Sequence, residues 1–302
     1  MKLAMIGYGE VGCILAEDLR KAGHGVTAYD LKLHSQAGDP MRAHGRAHGV
    51  ALADSHGSAV QGAQIVVSAV TASQTVAVAE ACAGARLDNG FFLDVNSASP
   101  GAKIKAADLV ARAGGRYVDG AVMTSVPPHR IRVPLLLGGP HAAALEPMLN
   151  QLGFAAKVAS PKLGVASATK MCRSVVIKGL EAMLIESLVS ARHFGVEDEL
   201  IASLHETFPG IDWEKQAAYF FQRAIEHGRR RSEEMREAAV TVREAGIEPW
   251  SASGTALRQA WIADLGDQGV FGDKNRDGFA RSPDWRIEAD RILDHAKGPA
   301  RG

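Results

Sequence analysis

A glycine-rich segment near the N-terminus carries the spacing most specific to one kind of chemistry. Glycines recur there in the order Gly-x-Gly-x-x-Gly, at Gly7, Gly9 and Gly12. A strand-like apolar run precedes the segment, and a helical pattern follows it. Such a turn lets the backbone approach a phosphate and leaves the N–H groups of the first helical turn facing its charge. We therefore predict a dinucleotide-binding turn. The cofactor contacts assigned to it are Gly7, Tyr8, Gly9, Glu10, Val11 and Gly12.

An acidic residue selects the nucleotide. The second strand-like run, from Gly25 to Tyr29, ends at Asp30. A carboxylate at this place accepts hydrogen bonds from the ribose hydroxyls of the adenosine half, and it repels a 2′-phosphate. NAD is therefore the predicted cofactor, although Lys32 lies close by and leaves NADP as the alternative. The structural alternative for Asp30 is a side chain that caps a loop.

The group predicted to exchange a proton is Lys170. Hydride transfer to or from a nicotinamide needs one residue that gives a proton to the substrate oxygen or takes it away. Lys170 lies near the start of a long helical pattern, on one stripe with Ser174, Lys178 and Glu181 at about 100° per residue. Small and apolar neighbours predict burial, and burial beside a second lysine favours the neutral amine. Two structural alternatives remain: an interdomain salt bridge of Lys170, and a simple Lys178–Glu181 pair.

The elements that must position these residues change in character near residue 160. Before it, strand-like runs alternate with helical patterns, which predicts a Rossmann-type, doubly wound parallel sheet. Beyond it strand signals vanish, so we predict an α/β domain over residues 1–160 and an all-α substrate domain over 161–302. The strand-like runs after the first two begin at Ile65, Phe91, Tyr117 and Val133. The predicted helices of the second domain span 161–193, 197–207, 213–227, 229–245 and 252–264.

Further cofactor contacts follow from the predicted sheet. Ligands of doubly wound sheets bind beyond the carboxyl ends of the strands. The run that begins at Ile65 ends at Val70 and Thr71, and the run that begins at Phe91 leads into Asn96. We therefore assign Val70, Thr71 and Asn96 to the cofactor site as well.

Bulk properties exclude several classes of partner. The chain has 34 Lys plus Arg and 34 Asp plus Glu, so its charge favours neither nucleic acid nor an acidic membrane. Its three cysteines form no Cys-x-x-Cys motif, which is typical of free thiols in a reducing compartment. No apolar run approaches the ~18 residues that cross a bilayer, and no signal-peptide pattern is present. These features predict a cytoplasmic protein with a small-molecule substrate.

Two segments resemble metal sites, and neither is predicted to be one. His44 and His48 are four residues apart, but no cluster of acids or cysteines lies beside them in the sequence. The segment from Asp273 to Gly278 resembles the first half of a calcium loop, yet two basic residues inside it lower its negative charge. We therefore predict no metal.

The motifs together resemble the β-hydroxyacid dehydrogenases, relatives of 6-phosphogluconate dehydrogenase. Besides the glycine turn, the matching segments are Asp94 to Pro100, Tyr117 to Val122, Leu137 to Gly139, and Lys170-Met171 at the place of the family's catalytic lysine. The resemblance covers nearly the whole chain. It implies an NAD-dependent oxidoreductase that transfers a hydride between the nicotinamide and a small hydroxy acid or alcohol, with Lys170 as the general acid/base.

The resemblance also implies a substrate site and an oligomeric state. Asn96 and Ser97 are expected to orient the substrate or the nicotinamide amide, and Ser174 or Lys178 to hold Lys170 in place. Apart from the resemblance, the hydroxyls of Thr124 and Ser125 make these two residues secondary candidates to hydrogen-bond substrate oxygens. His129 or Arg130 is a weaker candidate for an anionic group. A homodimer through the long helix is expected as well.

Two departures from the family leave the substrate open. The family's Ser-Gly-Gly loop is replaced by Met123-Thr124-Ser125, and the asparagine four residues after the lysine is replaced by Ser174. Alternatives therefore stand beside the dehydrogenase. One is an NADPH-dependent reductase of a semialdehyde, ketone or imine. The other is a protein that binds NAD without turnover, which the altered loop favours and the retained lysine opposes.

Overall fold

The protein folds as two compact units, Met1–Cys172 and Arg173–Gly302, in a computed structural model that describes residues 1–273, 282 and 284–297. The domain boundary predicted near residue 160 precedes the long helix, whereas the two compact units divide within that helix. Residues 274–278 of the calcium-loop resemblance lie outside the described residues.

The described part of the first unit is built on an eight-stranded sheet. The strands are β1 (Lys2–Ile6), β2 (Gly25–Tyr29), β3 (Ala51–Leu52), β4 (Ile65–Ser68), β5 (Phe91–Asp94), β6 (Arg116–Val122), β7 (Pro134–Gly138) and β8 (Ala155–Ser160). Their order is β3-β2-β1-β4-β5-β6-β7-β8. The first six strands are parallel, β7 is antiparallel to β6, and β8 is parallel to β7.

Helices cover both faces of this sheet. They are α1 (Glu10–Lys21), α2 (Asp39–His48), α3 (His56–Val60), α4 (Thr75–Ala83), α5 (Pro100–Arg112), α6 (Val126–His129), α7 (Ala142–Gln151) and the start of α8 (Val165–Phe194). Successive strand residues face opposite sides, so Leu3 and Met5 join one apolar core while Ala4 and Ile6 join the other. The central strands are near-continuous hydrophobic runs because both of their faces pack against an apolar core. The predicted α/β fold class is confirmed.

The described residues of the second unit form helices and the loops between them, without a strand. It contains the remainder of α8 together with α9 (Glu197–Thr207), α10 (Trp213–Glu244), α11 (Trp250–Asp267) and α12 (Trp285–Lys297). Its core is centred on large apolar side chains that include Trp213, Phe221 and Trp285. The predicted all-α C-terminal domain is confirmed. Among the described residues, no helix combines the length and the apolar character of a membrane span.

Three features differ from the sequence-based predictions. The strands β3 and β8 are not among the predicted runs, and β7 breaks the parallel order. The helices predicted over 213–227 and 229–245 form the single helix α10. Gly228 marks the predicted break, but a Cβ there would lie 2.6 Å from the carbonyl oxygen of Gln259. The glycine therefore allows α10 and α11 to pack closely.

Candidate nucleotide and catalytic site

The glycine turn joins β1 to α1, and its glycines have different steric tasks. Gly7 has a φ of +88°, and a Cβ on it would lie 2.5 Å from the carbonyl oxygen of Ala69. A Cβ on Gly12 would lie 2.0 Å from the carbonyl oxygen of Gly7. Gly9 is the N-cap of α1, and a Cβ there meets no described atom within 4 Å. A side chain at Gly7 or Gly12 would thus clash with the backbone, whereas Gly9 leaves open space at the helix N-terminus.

Asp30 closes this space on the side of β2. One carboxylate oxygen accepts a hydrogen bond from the backbone N–H of Tyr8 at 2.9 Å, and the other accepts one from Lys32 N–H at 2.9 Å. The capping role considered for Asp30 is therefore present in the structure. Each carboxylate oxygen still has a further lone pair, so the contact with a ribose stays a prediction.

The residues at this edge fit a dinucleotide. The unpaired N–H groups at the N-terminus of α1 suit a pyrophosphate, and the partly exposed carboxylate of Asp30 suits ribose hydroxyls. The predicted contacts differ in exposure: Glu10 and Thr71 are exposed, whereas Val11 and Val70 are half-buried. The ring of Tyr8 is fully buried and its hydroxyl lies 2.7 Å from Nδ1 of His44, so Tyr8 offers only its backbone to the turn.

Asn96 connects the carboxyl ends of β4 and β5. Its side-chain oxygen accepts a hydrogen bond from Val70 N–H at 2.7 Å, and its Nδ2 donates to Ser68 Oγ at 3.0 Å. Its backbone N–H donates to Asp94 Oδ1 at 2.9 Å. The side chain is buried, with 3% exposure. The structure thus gives Asn96 a positioning task at the strand ends, and direct contact with a substrate or nicotinamide stays a prediction.

The predicted acid/base lies against the segment that follows β5. Nζ of Lys170 donates a hydrogen bond to Ser97 Oγ at 2.6 Å, although the two residues are 73 positions apart in the chain. Both side chains are partly exposed. The structure therefore brings together two of the residues assigned to catalysis and substrate binding, at the carboxyl end of the sheet.

The structure also contains a buried charge network that the sequence analysis did not predict. It is formed by Lys103, Asp94 and Asp119. Nζ of Lys103, which has no exposure, lies 2.9 Å from Asp94 Oδ1 and 3.5 Å from Asp119 Oδ1. The hydroxyl of Tyr117 donates to Asp94 Oδ2 at 2.6 Å. Burial, reinforced by Asp94, holds the pKa of Tyr117 well above its ordinary value. The phenol therefore stays a hydrogen-bond donor to this carboxylate.

A sequence signal for Lys103 exists in α5. The buried residues of that helix are Lys103, Ala106, Ala107 and Val110, which is the spacing of a single apolar helix face. A lysine on such a face needs buried acids as partners, because an unpaired charge is costly in the interior. The identity of those acids depends on the sheet and is not readable from the helix.

The network also anchors the start of α8. Asp119 Oδ2 accepts hydrogen bonds from both the backbone N–H and the Oγ of Ser167, each at 3.0 Å. Ser167 precedes Lys170 by less than one helical turn. Asp119, at the centre of β6, therefore sets where the helix that carries the lysine begins.

The Ser167→Ala variant is expected to loosen this anchor without removing it. It loses the side-chain hydrogen bond to Asp119 and keeps the backbone one, so we expect about 1 kcal/mol less free energy of unfolding and a several-fold lower kcat. Urea unfolding and steady-state rates measure both. Thr169→Ala is the matched control, since the exposed hydroxyl of Thr169 donates a hydrogen bond to the Val165 carbonyl of the same helix. An equal loss in both variants would contradict the anchoring role.

The altered loop after β6 places its polar residues at the surface. Thr124 and Ser125 are exposed, and Ser125 precedes the short helix α6. Arg130, the weaker candidate for an anion contact, is held by its own chain: its Nη2 lies 2.6 Å from Asp18 Oδ1 and 3.2 Å from Glu17 Oε2. The substrate contacts of Thr124 and Ser125 stay predictions.

Ser174 and Lys178 belong to the second unit and are both buried. Lys178 forms an ion pair with Glu234 of α10. Burial lowers the pKa of Lys178 below its ordinary value, and Glu234 opposes that effect. Glu181 pairs with Arg231 instead of Lys178. The simple Lys178–Glu181 pair is therefore not formed, and a role of Ser174 or Lys178 beside Lys170 stays a prediction.

Comparison with known proteins agrees with this geometry. Residues 2–160 match the family described as the NAD binding domain of 6-phosphogluconate dehydrogenase. Residues 191–262 match a domain of unknown function, DUF1932. The chain therefore belongs to the 6-phosphogluconate dehydrogenase-like family, which confirms the resemblance seen in its motifs.

Individual relatives give the same class. A conserved hypothetical protein from Sinorhizobium meliloti has a solved structure with a TM-score of 0.74 and 34% identity, covering 96% of both chains. The 3-hydroxyisobutyrate dehydrogenase of Pseudomonas aeruginosa is 25% identical over 70% of this chain and 71% of its own length. The NAD-dependent L-serine dehydrogenase of the same organism is 26% identical over the same two fractions, 70% and 71%. The class is therefore a dehydrogenase-like oxidoreductase that binds a nicotinamide dinucleotide.

Proposed function

We propose that this protein is an NAD-dependent dehydrogenase that transfers a hydride between the nicotinamide and a small hydroxy acid or alcohol. The observation that carries the proposal is the contact of Lys170 Nζ with Ser97 Oγ at 2.6 Å. It places a titratable amine at the carboxyl end of the sheet, where ligands of doubly wound folds bind. The glycine turn and Asp30 lie at the same end of the sheet, at the ends of β1 and β2.

Proton exchange and the positioning of the reacting groups are assigned to residues of the chain. A bound nicotinamide would supply the hydride acceptor or donor. In the oxidative direction the neutral amine of Lys170 accepts the proton of the substrate hydroxyl, and in the reductive direction the protonated amine returns it. Ser97 orients Lys170 through its hydroxyl. Asn96 keeps the ends of β4 and β5 together beneath the reacting groups.

Turnover of defined substrates tests the proposal. We suggest 3-hydroxyisobutyrate and L-serine, the substrates in the names of two relatives, each with NAD and with NADP, followed by a panel of small hydroxy acids and alcohols. Oxidation by NAD supports the proposal. NADPH-driven reduction of a semialdehyde, ketone or imine without hydroxyacid oxidation would favour the reductase alternative. Tight NADH binding with no turnover of any compound would favour the non-catalytic alternative.

The choice of NAD over NADP is predicted to depend on Asp30. In Asp30→Ala we expect NADH affinity to fall by about 10- to 100-fold, the equivalent of one or two charge-assisted hydrogen bonds. Affinity for NADPH should rise relative to NADH, because the repulsion of the 2′-phosphate is gone. Fluorescence titration with each nucleotide measures both. Asp30→Asn is the control, since it removes the charge and keeps an acceptor for the turn. An unchanged nucleotide preference in both variants would count against Asp30.

We also propose a homodimer formed through α8. Val176 and Met183 of that helix are 67% and 64% exposed, and Leu257 of α11 is 70% exposed. An open groove of about 720 Å³ lies between the same two helices. Large exposed apolar side chains beside a groove are typical of a protein interface. Light scattering of the purified protein tests this, and a mass of one chain at micromolar concentration contradicts it.

A cytoplasmic location belongs to the same proposal. Cys13, Cys82 and Cys172 all lie within the described residues and are free thiols. Free thiols are typical of a reducing compartment. Fractionation of cells that produce the protein tests the location.

A further inference from the structure

The fold supplies the histidine pair of α2 with the acid that the sequence lacks beside it. Glu17 of α1 meets His44 and His48, and one ligand atom from each lies within 4.8 Å of the other two. Two histidines four positions apart lie on the same face of a helix. Glu17 is far from them in the chain, so only the packing of α1 against α2 makes the group of three.

The ring of His44 is oriented as a metal ligand would be. Its Nδ1 lies 2.7 Å from the hydroxyl of Tyr8, while its Nε2 faces Glu17 Oε2 at 3.8 Å. In the tautomer that carries its proton on Nδ1, this nitrogen donates to the Tyr8 hydroxyl and the lone pair of Nε2 is left for a cation. The rings of His44 and His48 are also neighbours, with centroids 4.4 Å apart.

Two cations contact Glu17, one at each carboxylate oxygen. Lys21 Nζ contacts Oε1 at 2.5 Å, which is the oxygen turned away from His44. Arg130 lies 3.2 Å from Oε2 but also holds Asp18 with two nitrogens, Nε at 2.9 Å and Nη2 at 2.6 Å. Arg130 thus keeps a carboxylate partner when Oε2 turns to a metal.

We propose that Glu17, His44 and His48 form a site for a late transition-metal dication, with Zn²⁺ as the expected ion. Two imidazoles and one carboxylate suit Zn²⁺ and its neighbours, whereas Ca²⁺ and Mg²⁺ prefer a larger set of oxygens. A tetrahedral ion with bonds of about 2.1 Å needs its ligand atoms roughly 3.4 Å apart. The side chains must therefore rotate to bring the three atoms from within 4.8 Å of one another to this spacing. Water takes the fourth position.

A bound metal would stabilise the packing of α1 against α2 near the nucleotide-binding turn. His44 also contacts the hydroxyl of Tyr8, the residue between the first two glycines of the turn, so the metal would restrict the motion of that residue as well. Bound metal is therefore expected to stabilise the folded domain by mass action. The three proposed ligands, Glu17, His44 and His48, are not among the residues assigned to the dehydrogenase site, so metal binding can be tested without turnover.

Zinc titration of the full-length protein, produced without a histidine tag, tests the site. Competition with a chromophoric chelator gives affinity and stoichiometry, and thermal unfolding with ZnCl₂ gives the stabilisation. We expect one equivalent of Zn²⁺ and a raised Tm in the wild type. His48→Ala and Glu17→Gln should each weaken binding by about tenfold or more. His205→Ala, which removes an exposed histidine of the second unit, should bind like the wild type.

The fold of the variants is checked by circular dichroism and by thermal unfolding without added zinc. Glu17→Gln tests the carboxylate, and His48→Ala tests the ring that is not in contact with Tyr8. Absence of a stoichiometric site in the wild type overturns the proposal. So does wild-type affinity in folded His48→Ala and Glu17→Gln proteins, because the zinc would then be held elsewhere.

Discussion

Lys170→Ala is expected to lower kcat/KM by about 10²- to 10⁴-fold, the range that a positioned general acid or base contributes. The variant loses the amine that contacts Ser97 at 2.6 Å, and no other group is proposed to exchange the substrate proton. NADH affinity should be unchanged, because the glycine turn and Asp30 are untouched. Steady-state rates on the best substrate of the panel, together with fluorescence titration of NADH, measure the two effects.

The pH profile gives a second test of the same residue. If Lys170 exchanges the substrate proton, one ionisation in the wild-type pH dependence of kcat/KM should be absent in Lys170→Ala. Loss of a purely structural lysine would lower the rate and leave that ionisation in the profile. Lys162→Ala is the matched control, because Lys162 is an exposed lysine in the turn just before α8. Comparable turnover in Lys170→Ala and Lys162→Ala would contradict the assignment.

Gly9→Ala is expected to weaken cofactor binding strongly while leaving the fold intact. A methyl group at Gly9 meets no described atom within 4 Å, and its φ of −79° and ψ of −158° suit alanine. Loss of the preferred cap residue and the smaller entropy of the unfolded chain oppose each other, so stability should change by less than about 1 kcal/mol. The methyl group occupies the approach of the pyrophosphate, and NADH affinity should fall on the order of 100-fold.

The neighbouring glycines provide the contrast for this prediction. Gly12→Ala places its Cβ 2.0 Å from a backbone oxygen, so it should lower the Tm even without cofactor. Gly57→Ala is the neutral control, since a Cβ there makes an ordinary contact of 3.7 Å with Ala85. The Tm of each variant with and without NADH separates folding from binding. Undiminished NADH affinity in Gly9→Ala would show that no phosphate lies against this turn.

Features that depend on a short stretch of chain were predictable from the sequence. The glycine turn could be recognised because its spacing lies within six residues, and the positive φ of Gly7 is a local reason for glycine there. The alternation of apolar runs and helical patterns predicted the fold class for the same reason, since period and length are local properties. The two-residue strand β3 is too short to carry a period, and the helix break predicted at Gly228 was wrong because glycine also permits close packing.

The chemistry of the site depends on residues that are distant in the chain. Lys170 was predictable as a candidate, but its contact with Ser97 arises only when α8 begins beside the end of β5. The acids around Lys103 come from the ends and centres of different strands, and Glu17 reaches the histidines only across a helix pair. The sequence by itself therefore determined the fold class and the kind of cofactor, because backbone sterics and hydrophobic periodicity act locally. The tertiary structure decided which charges neutralise one another, because a buried charge is stable only beside the partner that the fold brings to it.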